Sequence, residues 1–345
     1  MRRALTLACA GLAFGAGSAV AGPPVEKHID PDAGWMVHVD LDAVADTEVG
    51  EFLMGMIAAE TDDFEDIREV MPNFWPGPEG GMFGLTVYGS TLDIEDGDGA
   101  EDMCVILYGD DQISGWGSML EAIAMHEGIE DEVRHRQVRG HDAWSFPVDD
   151  DGRGYAGLVE KGRNVAWIIA FDSGTFDDAL RLFDGGDGDT DLMPRGGWRD
   201  GTIAYLSTNT LDGLDVDEKA SRVLGDARSL RMRVGEEDGE AYFQGALDTG
   251  DDEKANSIMS IARGLLAIGN LAAADDDELR EVMRVAQGIS FDVSGSTVYF
   301  ELTHDAEEVV EFLEEAVEGN WDHDIRYDDD DDHEFEDDHD DDDDW

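Results

Sequence analysis

Positive charge is what this chain has least of. Against 84 acidic residues stand 23 basic ones, for a net charge of −61, and only Lys27, Lys161, Lys219 and Lys254 are lysines. Nucleic acid and anionic membrane surfaces would repel such a chain, so neither is an expected partner. Cysteine is almost missing as well. Cys9 lies in the N-terminal leader described below and Cys104 is alone in the remainder, so no internal disulfide can form there. The apolar run Met103–Tyr108 around Cys104 marks it as a core residue. No apolar run is long enough to span a bilayer. A G-x-S-x-G nucleophile motif is absent, as is a helical histidine pair at zinc spacing.

The leader is the first positive feature. Arg2 and Arg3 precede an uncharged stretch from Ala4 to Gly17, and Ala19-Val20-Ala21 stands just before Gly22. This is the three-part layout of a secretory signal peptide, predicted over residues 1–21 with cleavage near Ala21. Cys9 lies inside the apolar stretch, so it is not a lipid-accepting residue. The mature chain is expected to be exported, to the periplasm or the exterior, and soluble.

The acidity is not confined to the end of the chain. Asp322 to Trp345 is dominated by aspartate, yet most of the excess remains when that segment is set aside. Charge at this density destabilises a fold in low salt and is screened by counter-ions. The composition resembles that of proteins adapted to saline surroundings, and its functional counterpart is divalent-cation binding. Residues 322–345 have almost nothing to bury and are expected to be disordered. His323, His333 and His339 among the carboxylates would collect divalent cations weakly, with no fixed coordination geometry.

Hydrophobic patterning predicts an α+β fold. Ile289, Phe291 and Val293 alternate with polar residues, Gly295-Ser296 turns the chain, and Val298, Phe300 and Leu302 alternate in return. A helix with Val309, Phe312, Leu313, Ala316 and Val317 on one face follows, from Asp305 to Gly319. The same order occurs earlier: a hairpin over Gly157–Phe171 turning at Lys161-Gly162, then a helix capped by Thr175 and ended by Gly185. Leu85–Tyr88 with Met103–Tyr108, and Leu230–Val234 with Ala241–Leu247, each form a strand pair leading into a helix. Trp35–Leu41 and Thr202–Ser207 open the two halves. The expectation is strand-helix-strand-strand-helix-strand-strand-helix, twice, over residues 22–195 and 196–321, as an internal pseudo-duplication. Val133–Phe146 is extra in the first half, and a helix carrying Leu279, Val282, Met283 and Ala286 is extra in the second. Short hairpins imply antiparallel sheet, with helices packed on one face.

Three groups of residues carry candidate chemistry. Asp187-x-Asp189-x-Asp191 begins like a calcium loop, but Leu192 stands where glycine belongs and Trp198 where glutamate belongs. Calcium at Asp187, Asp189 and Asp191 is therefore the metal expectation, with Asp93–Asp102 and Asp149–Gly152 as further acidic turns, a role that Asp and Gly suit in any case. Arg134 to His141 is the most basic patch, able to meet an acidic ligand or to balance local charge. The third is Val37-His-Val-Asp40-Leu-Asp42, an apolar strand ending in D-x-D. It resembles motif one of the haloacid-dehalogenase phosphatases, and Gly186-Asp187-Gly-Asp189-Thr-Asp191 their magnesium motif, with Lys161 in the intervening order. That resemblance implies an Asp40 nucleophile, an Asp42 general acid and a parallel sheet, against the antiparallel hairpins read between these points. Finally, the pattern of the second half, about 120 residues including Ala241–Asn256, the helix after it and the closing hairpin and helix, resembles uncharacterised exported proteins of planctomycete-type bacteria. It implies the α+β repeat and export, and no activity. The function expected from the whole is non-enzymatic binding or structure at the cell envelope or outside it, with the phosphatase as alternative.

Overall fold

The computed structural model describes residues 22–60, 81–91, 102–148, 152–162, 164–211, 227–274 and 277–321. Its strands are β1 Trp35–Asp40, β2 Met82–Gly89, β3 Cys104–Gly109, β4 Arg134–Val138, β5 His141–Pro147, β6 Arg153–Lys161, β7 Asn164–Ala170, β8 Thr202–Thr208, β9 Ser229–Glu237, β10 Glu240–Asp248, β11 Ile289–Ser294 and β12 Thr297–Asp305. Its helices are α1 Leu41–Ala45, α2 Glu48–Glu60, α3 Trp116–Glu127, α4 Ser173–Phe183, α5 Asp252–Ala272, α6 Asp277–Ala286 and α7 Ala306–Trp321. All twelve strands join one antiparallel sheet in the order β11-β12-β10-β9-β8-β1-β2-β3-β7-β6-β5-β4. This is the α+β architecture that the patterning predicts.

β1 and β8 pair at the centre, Val37 opposite Leu206, so both halves share one sheet. Outward from that pair the order is β1-β2-β3-β7-β6 on one side and β8-β9-β10-β12-β11 on the other. The extra segment Val133–Phe146 is accounted for by the β4–β5 hairpin, which lengthens the first side to the sheet edge. The turns fall where glycine permits a left-handed backbone, at Gly162 (φ +71°) and Gly295 (φ +60°).

Helices are not confined to one face, contrary to the expectation. The centre of the sheet is apolar on both sides: β3 reads Cys-Val-Ile-Leu, all buried. Met36, Cys104, Ile106, Ile168 and Ala170 face Phe176, Ala179, Leu180 and Phe183 of α4. Val105, Leu107, Val165 and Trp167, on the alternate positions, face Trp116, Met119, Leu120 and Ile123 of α3. On that second face Val39 and Ala204 also meet Val49 and Leu53 of α2 and Val309 and Val310 of α7. Alternation along a strand sends neighbours to opposite faces, so strands apolar at every position need cover on both.

Local chemistry moves two helix ends from their predicted places. α4 starts at Ser173 because Asp172, rather than Thr175, caps it, accepting the Thr175 N–H at 2.7 Å. α7 runs past Gly319 to Trp321. Among the described residues no helix is long and apolar enough to cross a membrane.

Candidate functional site

Among the described residues no helix lies over β9, β10 and β12 on the face that α4 covers in the first half, and a cleft of about 400 Å³ opens there. Cross-strand register builds it in two rows. Tyr205, Arg233, Gln244 and Glu301 lie side by side across β8, β9, β10 and β12. Two residues along each strand, Ser207, Arg231, Ala246 and Tyr299 form the next row, with Asp292 of β11 beyond. Small Ser207 and Ala246 flank a long Arg231, which leaves a depression between the Tyr205 and Tyr299 rings. Pro194 and Arg195, from the segment joining α4 to β8, close one side.

Arg231 is 7 % exposed. It donates from Nη1 to Ser229 Oγ at 3.3 Å and from Nη2 to the Asp191 carbonyl at 3.0 Å, while Nε is buried with no hydrogen-bond partner. The Ser207 hydroxyl, its cross-strand neighbour, is buried and unpartnered as well. Burial, and then the nearby Arg195 guanidinium, disfavour the charged form of Arg231. Arg233 donates to Gln244 Oε1 at 2.5 Å and to the Gly197 carbonyl at 3.4 Å. Among the described residues none of Arg195, Arg231 and Arg233 forms an ion pair. Both lining carboxylates lie toward the β11–β12 side. Glu301 is held by Arg199 at 3.5 Å and by the Gln244 amide, and Asp292 is exposed. Arg199 in turn lies 3.8 Å over the Tyr242 ring and pairs with Glu237 at 2.9 Å. The result is a pocket with three guanidinium groups outside ion pairs among the described residues, aromatic walls, and two buried polar atoms, Ser207 Oγ and Arg231 Nε, that lack a well-aligned hydrogen bond although the Tyr205 hydroxyl lies close by. Buried polar atoms left unpaired are rare and call for a partner such as a ligand or a water.

This site was not singled out from the sequence. The signal is Leu230-Arg-Met-Arg-Val234: two arginines two apart in a strand share one face, in a chain with 23 bases in all.

The residues that were singled out go elsewhere. Asp187, Asp189 and Asp191 lie exposed in the segment after α4, where Thr190 and Leu192 take the buried positions between and beside them. Among the described residues no three His, Cys, Asp or Glu side chains converge on a common metal position. Asp40 is 6 % exposed at the end of β1 and caps α1, its Oδ1 accepting the N–H groups of Asp42 and Ala43 at 3.1 Å each. Burial raises its carboxyl to about 6. Both neighbours of β1 are antiparallel, so Asp40 does not stand at the mouth of a parallel sheet, and Lys161 Nζ is engaged by the Phe183 carbonyl. Cys104 is buried in the core. In the basic patch, Arg139 pairs with Asp177 at 2.6 Å, His141 with Asp184 at 2.9 Å and His135 with Asp142 at 2.8 Å. Residues 1–21, 92–101, 149–151 and 322–345, which contain the leader, most of two acidic turns and the acidic tail, lie outside the described residues.

No family model matches the chain, and no curated protein matches it. Among solved structures it is similar to TP0453, a spirochete protein. Crystal form III matches at a TM-score of 0.46 and 10 % identity, over 86 % of this chain and 98 % of that one. Crystal form I matches at 0.43 and 11 %, over 86 % and 97 %. Likenesses at that level carry no conclusion about activity.

Proposed function

We propose that this is an exported, non-enzymatic binding protein that takes an anionic ligand in the cleft over β8–β12. The observation that carries the reading is Arg231: a guanidinium buried beneath a cleft and, among the described residues, in no ion pair, with Asp191 and Asp248 near but not in contact, in a chain of net charge −61. A buried cation lacking a counter-ion is costly, and an anion seated against Arg231, Arg195 and Arg233 would supply it. The rings of Tyr205 and Tyr299 suit a ligand whose charged group sits on an apolar or aromatic body. The equal strand orders on either side of β1–β8 support reading the halves as copies of one unit. In the second copy the last helix, α7, lies on the opposite face, which bares the cleft. The phosphatase alternative gains nothing from an Asp40 committed to a helix cap.

The test is calorimetry on the mature chain with inorganic phosphate, citrate and 4-hydroxybenzoate, at ionic strength held constant with NaCl. A saturable heat is expected for at least one anion, abolished in Arg231→Met while the melting temperature is unchanged or raised. No saturable heat with any of them, or equal binding by Arg231→Met, overturns the proposal.

A further inference from the structure

α5 has a second apolar surface that the fold does not use. Its inner side is spent on packing: Ala255 is fully buried, Gly269 lies against Met283 of α6, and the helix rests on β11 and β12. Outward it leaves Ile261 51 %, Leu265 64 %, Ile268 64 % and Leu271 76 % exposed. Ile258, Ile261, Leu265, Ile268 and Ala272 fall at alternating spacings of three and four, the pattern of a helix-pairing seam. The positions beside the seam are small, Ser257, Ala262 and Gly264, and the space where a Gly264 side chain would stand is open. Another helix axis can therefore come close.

Charge singles out the occupant. From Lys254 to Ala274 there is no carboxylate, in a chain with 84 of them. A basic partner would find no acidic rim to hold it there. A second copy of this chain meets an apolar seam of its own kind with no like-charge carboxylates in the contact. We propose that α5 is the two-fold seam of a homodimer, each copy laying Ile261, Leu265 and Ile268 against the same residues of the other. Covering these three side chains in both copies removes roughly 700 Å² from water, short of the ~1,000 Å² of a stable specific interface, so the dimer is weak and concentration-dependent. Overall repulsion between two acidic chains opposes it and is screened by salt, so NaCl tightens it, the reverse of an ionic contact.

Sedimentation equilibrium on the mature chain at ~0.1 M and ~2 M NaCl tests this. The expected result is a monomer–dimer equilibrium shifted to dimer by salt and weakened more than about tenfold in both Leu265→Glu and Ile268→Glu, with melting temperatures within about 2 °C of wild type. Leu265→Cys, near the middle of the seam, should cross-link under oxidation, since Cys104 is buried and cannot compete. A monomer at both salts, a dimer indifferent to both glutamates, or a large fall in melting temperature (the seam being covered within its own chain) would each overturn the proposal. So would binding to phosphatidylcholine vesicles by a chain that stays monomeric.

Discussion

Replacing His38 with glutamine should remove a defined share of the acid sensitivity of this fold. His38 is 3 % exposed on β1, with Nε2 2.9 Å from the Gly22 carbonyl and Nδ1 2.8 Å from the Thr86 hydroxyl. That arrangement suits a neutral ring, Nε2–H donating and Nδ1 accepting. Burial lowers its pKa from 6.5 to about 4. The folded value lies below the unfolded one, so the unfolded chain binds the proton first as pH falls. The stabilisation is fully present above about pH 7, lost as pH drops through 6.5, and flat again below about 4. At 1.36 kcal/mol per unit the full loss is about 3 kcal/mol, of which about 2 kcal/mol has gone by pH 5. His28, stacked 3.8 Å from the Phe183 ring and lowered to about 3, acts in the same direction. Asp40, raised to about 6, opposes both, because its native form takes up a proton first and gains stability between pH 6 and 4. Wild type alone therefore cannot separate the terms. Subtracting the variant does, since Asp40, His28 and the acidic surface are common to both proteins. Urea melts at ~1 M NaCl, from pH 7.5 to 4.5, should show wild type ahead at pH 7.5 and the gap shrinking by about 2 kcal/mol or more. A gap constant to within about 0.5 kcal/mol would refute the assignment of a buried neutral His38.

Trp167 offers a second test, on the opposite face of the sheet. It is 1 % exposed, stacks 6.1 Å from Trp116, lies tilted 5.3 Å from Trp144, and donates from Nε1 to the Ile113 carbonyl at 2.8 Å. Trp167→Phe should cost about 2 kcal/mol through lost volume and a bereft carbonyl, and Trp167→Ala about 3–5 kcal/mol, by urea unfolding. Calcium gives a third. With Asp187, Asp189 and Asp191 exposed and not convergent, calcium at fixed high NaCl should raise the melting temperature no more than magnesium does at equal concentration, whereas NaCl itself should raise it strongly. A saturable, calcium-selective rise that survives removal of residues 322–345 would restore a specific site at those loops.

The hairpins were legible because each combines period-two alternation with a glycine turn, as at Ile289–Leu302, where local signals agree with the fold. The pairing of β1 with β8 was not. A contact between Val37 and Leu206 leaves no trace in either segment alone, so one sheet and two domains read alike. The helix distribution was missed for a different reason. Val105 and Leu107 point one way and Cys104 and Ile106 the other, and an unbroken apolar run says that both faces are covered without saying by what. The candidate motifs owe much to composition. In a chain this rich in aspartate and glycine, the D-x-D at Asp40 contains a helix cap, and the one at Asp187 lies in a surface segment whose alternate residues, Thr190 and Leu192, are the ones packed inward.

The cleft inverts that bias. Aspartate is so common here that any one acidic residue says little, whereas several arginines gathered in one concavity stand out. Arg139, Arg181 and Arg199 form ion pairs, while Arg134, Arg136, Arg153 and Arg263 form none among the described residues, so the lack of a paired carboxylate does not by itself mark a site. What sets Arg195, Arg231 and Arg233 apart is that they line one cleft. The cross-strand neighbours of Arg231 are Ser207 and Ala246, neither charged, and Arg233 is held by the neutral Gln244. The lining carboxylates, Glu301 paired with Arg199 and Asp292, keep to the β11–β12 side, so the acidic surface outside the cleft and the guanidinium groups within it act in opposite senses on an approaching anion. Added salt should therefore first help such a ligand by screening the approach, and then weaken it as small anions compete for the guanidinium groups, giving an affinity that passes through a maximum with ionic strength.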